Sequence, residues 1–278
     1  MKCEFIPFSE TVFASGQLDD LQNFPRNIYS GMLVRVNGIC VNDSGLYAPV
    51  GTLHHQENFI LSEHGVKHFP AQQTANRRSI RCTVTVASDL SARIDLTASP
   101  EGIFLERLRK IFASFTPQTS RQFFEKYASS IAPQAEILAS RFENDQLFLS
   151  LRIPDFAIRS GKFIILPLPG HQQLTAAAAI PPEKRQTPFL SSSQEDLLLE
   201  YIISVPENFT VVKPETANVS IENIFFHSGY LNVGGKHILE FSWQETPSLF
   251  TPEKFEYLRE INRMINHFST KNILFIME

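Results

Sequence analysis

Residues Gly31–Leu53 read GMLVRVNGICVNDSGLYAPVGTL, and this stretch sets the class of the chain. Gly31–Val36 is an apolar-rich run, and a second such run starts at Ile39. Asn37-Gly38 between them tolerates the positive φ of a type I′ turn, the strongest short-range hairpin signal a sequence offers. The hairpin runs on into Asn42-Asp43-Ser44-Gly45, a turn composition, and then Tyr47–Leu53.

The same pattern recurs downstream. Ser79–Val86 and Ser91–Ala98 alternate apolar and polar residues about a Ser88-Asp89 turn, which predicts a second, half-buried hairpin. A third comprises Ala135–Phe142 and Gln146–Ile153 about Glu143-Asn144-Asp145. Between them, Ser99-Pro100-Glu101 and Thr116-Pro117-Gln118 each place a hydroxyl before a proline at a first helical position. Phe104, Leu105, Leu108, Ile111 and Phe112 share one face of the first helix; Phe123, Phe124, Tyr127 and Ile131 share one face of the second. Further strands are expected at Lys162–Leu168, Leu197–Val205, Phe209–Lys213, Ile221–Phe226 and Lys236–Trp243, with Gly229 and Gly234-Gly235 at turns. Thr251-Pro252-Glu253 opens a third helix with Phe255, Leu258, Ile261, Ile265 and Phe268 at helical spacing, and the chain closes on the apolar run Asn272–Met277. Residues 1–30 and 54–74 read mostly as loop, with short strands at Cys3–Ile6 and Phe59–Leu61.

The expected class is therefore α+β and β-dominated: antiparallel sheets or a β-sandwich, a helical pair and a C-terminal helix. Gly170–Ser193, rich in Gln, Ala, Pro and Ser, is the best internal linker. Three parts follow: 1–74, a β-rich 75–180 with the inserted helical pair, and 181–278, which could share one domain with the second.

Composition narrows the function. The chain has 278 residues, with 43% hydrophobic, 19% charged and 24 Phe, enough for a large core. With 25 basic against 29 acidic residues the net charge is -4, so no basic surplus exists for a nucleic-acid backbone. No apolar run nears the roughly 20 residues of a membrane helix. Met1-Lys2-Cys3-Glu4 shows no signal peptide, which points to the cytoplasm. Cys3, Cys40 and Cys82 are odd in number and widely spaced, as buried free thiols rather than a disulfide framework.

A resemblance adds to this reading. The hairpin followed by Tyr47-Ala48-Pro49-Val50-Gly51-Thr52-Leu53 resembles the end of a bacterial transglutaminase-like (papain-type) core. Arg185-x-x-Pro188-Phe189, Val205-Pro206-x-x-Phe209-x-Val211, Lys213-Pro214 and Pro252-x-Lys254-Phe255-x-Tyr257 resemble the β-rich domain that follows that core in multidomain members. The resemblance implies a Cys thiolate nucleophile, a His base and an orienting acid, and a periplasmic or envelope location. The implied base position falls at Gly31 and the acid position at Asn42 or Asp43. No His precedes His54, so residues 1–74 read as a degenerate remnant and the chain as a pseudoenzyme.

Other constellations carry less chemistry. His54, His55, His64 and His68 cluster, and His64 and His68 have the spacing of a helical metal pair. Gly65 interrupts them and the segment lacks helical periodicity, so a solvated loop with no metal is expected, and no cofactor is implied. Gly234-Gly235-Lys236 precedes no helix and cradles no phosphate. Arg77, Arg78 and Arg81, and Arg107, Arg109 and Lys110, read as solvated faces. Trp243 is the aromatic to watch for exposure. The sequence thus predicts a non-catalytic interaction or scaffolding protein whose N-terminal hairpin packs on the downstream β-rich part or contacts another protein or a second copy. The alternatives are a fragment of a cysteine-type acyl transferase or protease completed by a partner chain, and a carbohydrate- or envelope-binding β-sandwich.

Overall fold

The structure is a computed structural model. It describes residues 3–9, 31–37, 39–41, 47, 59–62, 65–68, 76–170, 189–191, 195–221, 224–245 and 248–277.

Strands β1 (Cys3–Ser9), β2 (Gly31–Val36), β3 (Ile39–Val41), β4 (Phe59–Ser62) and β5 (Gly65–His68) form a five-stranded sheet in the order β3-β2-β1-β4-β5. The Asn37-Gly38 hairpin forms in the expected register, Val36 opposite Ile39, with Asn37 at φ 50°. The ribbon is not left as two strands, however. Its free edge is taken by β1, Cys3 opposite Val36 through Phe8 opposite Gly31, so the short strand expected at Cys3–Ile6 forms, runs on to Ser9 and completes it. Gly65–His68, expected as loop, pairs with β4.

The remainder is built on an eight-stranded sheet. Its strands are β6 (Arg77–Val86), β7 (Ala92–Pro100), β8 (Glu136–Glu143), β9 (Gln146–Ile153), β13 (Glu195–Ser204), β15 (Ala217–Ile221), β16 (Ile224–Val233) and β17 (Lys236–Glu245), in the order β15-β16-β17-β13-β6-β7-β9-β8. The expected run Ile221–Phe226 is divided between β15 and β16, which pair with each other. Asn144 and Asp145, and Gly234 and Gly235, have positive φ and close the tight hairpins β8–β9 and β16–β17. One pairing is parallel: β13 lies beside β6 from Asp196 opposite Arg77 to Ser204 opposite Thr85. That pairing joins residues before 170 and after 195 in one sheet.

A smaller sheet, β10 (Ile158–Ser160), β11 (Phe163–Leu166), β19 (Ile273–Met277) and β14 (Phe209–Val211), is four-stranded in the order β10-β11-β19-β14. A last pair, β12 (Phe189–Ser191) with β18 (Ser248–Phe250), is antiparallel. Strands β6, β9, β13 and β17 bury alternate residues. Their inner face meets α1 (Ile103–Ala113) and α2 (Pro117–Ile131) at one end, and α3 (Phe255–Ser269) with the small sheet at the other. At the first end Phe112 stacks on Phe142 at 4.6 Å and Phe124 is buried. At the second, Phe268 of α3 meets Phe226 and Phe241 at 5.2 and 6.4 Å, and Phe275 of β19 meets His237 at 5.2 Å. The β-dominated α+β class is as the sequence predicts, and no helix among the described residues is long and apolar enough to cross a membrane.

Two helix starts differ from expectation. Thr116 does cap α2, in a reciprocal box with Thr119. Pro100, by contrast, ends β7 opposite Arg78, and α1 starts only at Ile103 behind Gly102. Its first amide is taken by the side chain of Asn76, whose Oδ1 accepts from the Ile103 N–H at 3.0 Å. Pro252–Lys254 is a short 3₁₀ turn, and α3 proper begins at Phe255.

Candidate functional site

The structure offers two candidate places, a bare sheet face and a cavity. The face is the outer side of the small sheet. Alternation directs Ile164, Leu166, Ile273 and Phe275 inward, where all are buried. It therefore turns Phe163, Ile165, Leu274 and Ile276 outward. Cross-strand register then aligns Ile158 with Ile165, Ile165 with Leu274, and Phe163 with Ile276. Val212 extends the row, donating its N–H to the Leu274 carbonyl at 2.8 Å. Ile158 is 55% exposed, Phe163 39%, Leu274 38% and Val212 37%. Single exposed apolar residues are ordinary, but a contiguous row on one sheet face is not. Lys162 lies over the Phe163 ring at 5.5 Å, and Lys271 pairs with Glu215 at 3.0 Å beside Leu274, giving the face a charged rim.

The cavity, of about 270 Å³, lies between α1, α2 and the inner face of β6, β7 and β9. Ile80, Ala98, Phe104, Phe123 and Leu147 make its wall largely apolar, and Arg78, Ser79, Arg107 and Tyr127 are its polar lining residues. Arg78 forms an ion pair with Glu195. Its guanidinium carbon lies 4.9 Å from the centre of the Phe104 ring, and burial lowers its pKa from the usual arginine value. The expected solvated cluster is thus divided by strand alternation. Arg77 and Arg81 face outward and pair with Asp196 and Glu200 at 2.8 and 2.7 Å, while Arg78 turns inward. Nothing in the local sequence marks Arg78 as different; its neighbours on β13 and α1 decide its surroundings.

Catalytic parts do not assemble among the described residues. Cys82 is buried and desolvation pushes its thiol up to about 12, so it carries no thiolate at neutral pH. His237 is buried against Phe275 and shares a 2.9 Å hydrogen bond with Tyr230 Oη. His267 pairs with Glu215 at 3.0 Å on the surface. No serine or cysteine among the described residues is hydrogen-bonded to one of these rings, and no group of three or more His, Cys, Asp or Glu side chains could hold a metal. Trp243 is buried in the inner face, not exposed as a stacking platform.

Of the residues singled out in the sequence, Gly31 opens β2 opposite Phe8. His68 ends β5 opposite Phe59 and so lies on a strand, not on a helix. Asn42, Asp43, His54, His55 and His64 lie outside the described residues, as does most of the Gly170–Ser193 linker.

No family model and no curated protein matches the chain. Among solved structures, it is similar to the crystal structure of "a putative protease from Parabacteroides distasonis ATCC 8503", with a TM-score of 0.50 at 10% sequence identity. The match covers 99% of this chain and 40% of that one. At that identity the likeness is one of fold, and this chain spans about two fifths of the length of the protein it resembles.

Proposed function

We propose that this chain is a non-catalytic protein-interaction module, equivalent to the β-rich C-terminal part of a transglutaminase-like protein. The observation that carries the reading is the outer face of the small sheet, where Ile158, Phe163, Val212 and Leu274 stand exposed in register. Such a face is stable in water at a cost of roughly 25 cal/mol for each Å² of apolar area left wet, which a partner surface recovers. Its occupant is a second copy of this chain, apolar row against apolar row, since Lys271 at the rim is already answered by Glu215 within the chain. The fold likeness to part of a much longer chain supports a module that works beside further protein, and the protease description of that chain agrees with papain-type ancestry. Cys82, deep in the sheet with its thiol pushed up by burial, is no nucleophile at neutral pH.

Sedimentation of the whole chain over rising concentration tests the interaction. Weak self-association through this face is expected, lost in the double variant Phe163→Lys/Leu274→Lys at unchanged melting temperature. A parent that stays monomeric, and binds no more of a hydrophobic dye than the variant does, overturns the interaction reading. Peptide hydrolysis or amine incorporation abolished by Cys3→Ala or Cys40→Ala would overturn its non-catalytic half.

A further inference from the structure

The cavity beneath α1 and α2 has a feature that packing alone does not explain. Arg78 Nε is buried and has no hydrogen-bond partner among the described residues. Buried polar groups are nearly always satisfied, and one left bare costs about 1–3 kcal/mol, more when charged. Glu195 approaches Arg78 at Nη2, but neither Arg78 Nε nor Glu195 Oε1 makes a hydrogen bond among the described residues. A water could accept from Nε, but an ordered buried water makes two to four hydrogen bonds. Here Ile80, Ala98, Phe104, Phe123 and Leu147 offer none, which leaves the Tyr127 hydroxyl as the uncharged polar side chain turned to the cavity.

The charges at this cavity do not balance. Two guanidinium groups, Arg78 and Arg107, face it, and Glu195 answers only one. Arg107 is exposed at the surface of α1, and no ion pair to it occurs among the described residues. The volume of about 270 Å³ is nearly twice the roughly 150 Å³ of an engineered apolar cavity that takes up benzene. It falls just short of the 300 Å³ at which drug-sized pockets begin. A ligand here is therefore small, apolar over most of its surface, and anionic at one end.

We infer that this cavity binds a small monocarboxylate with an aromatic or branched aliphatic body, its carboxylate on Arg78 and Arg107 and its body between Phe104 and Leu147. A carboxylate accepts the Nε–H that water serves poorly, and the planar guanidinium suits it as it does no other common anion except phosphate. Phosphate lacks the apolar body that the remaining wall requires. The site is separate from the sheet face proposed above, so either can fail alone.

The test is titration calorimetry on the whole chain with phenylacetate and its uncharged counterpart phenylacetamide. The parent is expected to bind the acid at least about tenfold more tightly, the worth of one charge-assisted hydrogen bond. Arg78→Met, checked for folding by circular dichroism, should bind the two equally. Arg78 also pairs with Glu195 and its loss could unfold the chain, so a second variant serves. Ala98→Leu fills the cavity from the sheet side, keeps both arginines, and should bind neither compound. Equal binding of acid and amide by the parent, binding undiminished in Ala98→Leu, or no binding of either compound by the parent would each overturn the inference.

Discussion

The two sheets that share the main core have similar inner faces and unlike outer ones. Both bury alternate Ile, Leu, Val and Phe against each other and against the helices. Outside, the large sheet carries the Arg77–Asp196 and Arg81–Glu200 pairs, Asp95 held by Ser150 at 2.6 Å, and Arg141 over Phe148 at 4.4 Å. Apolar residues appear there chiefly as the cross-strand row Ile202, Ile238 and Leu231. The small sheet presents Ile158, Phe163, Leu274 and Val212 across its outer face, whereas the large one presents ions and hydroxyls along β6 and β7 and confines its most exposed apolar residues, Leu231 and Val233, to the end of β16. Inner faces answer to folding, which needs only that they be apolar and fit. Outer faces are free to vary, so an apolar outer face on a short sheet points to something beyond folding.

The comparison breaks first if the inner faces are not equally committed. Leu151, fully buried on β9, should cost about 2–5 kcal/mol as Leu151→Ala, by lost transfer energy and the cavity left behind. Thermal or denaturant unfolding measures this; a loss under about 1 kcal/mol would mean the core is loosely packed at its centre.

The seam between the sheets gives a smaller, pH-dependent effect. Burial holds His237 below the ordinary imidazole value of about 6.5, since the charged ring would lie against Phe275 with a hydrogen bond to the neutral Tyr230 hydroxyl. The unfolded chain then takes up the proton first. Stability is intact above about pH 6.5 and declines as the pH falls below it. Unfolding free energies between about pH 7 and pH 5 should fall less steeply in His237→Phe than in the parent; equal slopes would show that the ring charges freely in the fold.

The outer face of the large sheet should give the smallest response. Arg81 is mostly exposed, so Arg81→Ala is expected to cost no more than about 1 kcal/mol. What it costs should shrink with added salt, because Glu200 is left facing Glu240 across the antiparallel pair. A loss above 2 kcal/mol, unaffected by salt, would make this face structural and remove the contrast.

Much of the strand inventory was legible because its signals are local. Alternation at i and i+2 marks a half-buried strand whatever it pairs with, and Asn37, Asn144-Asp145 and Gly234-Gly235 accept positive φ by their own chemistry. The α2 start was legible for the same reason, since Thr116 and Thr119 satisfy each other within one turn. The α1 start was not: its cap comes from Asn76, 27 residues earlier. Local pattern marks Trp243 only as the aromatic to watch for exposure, and its position on β17 turns it inward with Leu239 and Phe241.

By itself, then, the sequence determined the β-dominated class, three hairpins and the three α-helices of the described part, all consequences of interactions spanning a few residues. Only the tertiary structure decided that β13 lies parallel to β6, across 119 residues between Arg77 and Asp196. That pairing is what turns Arg78 toward the helices beside Glu195, and Arg77 and Arg81 toward water. Likewise, Ile158, Phe163, Val212 and Leu274 come from three separate stretches, and each alone reads as an ordinary half-buried strand residue. Only strand register places them on one face, because which neighbours cover a strand is settled by pairing between distant segments and is not written within either one.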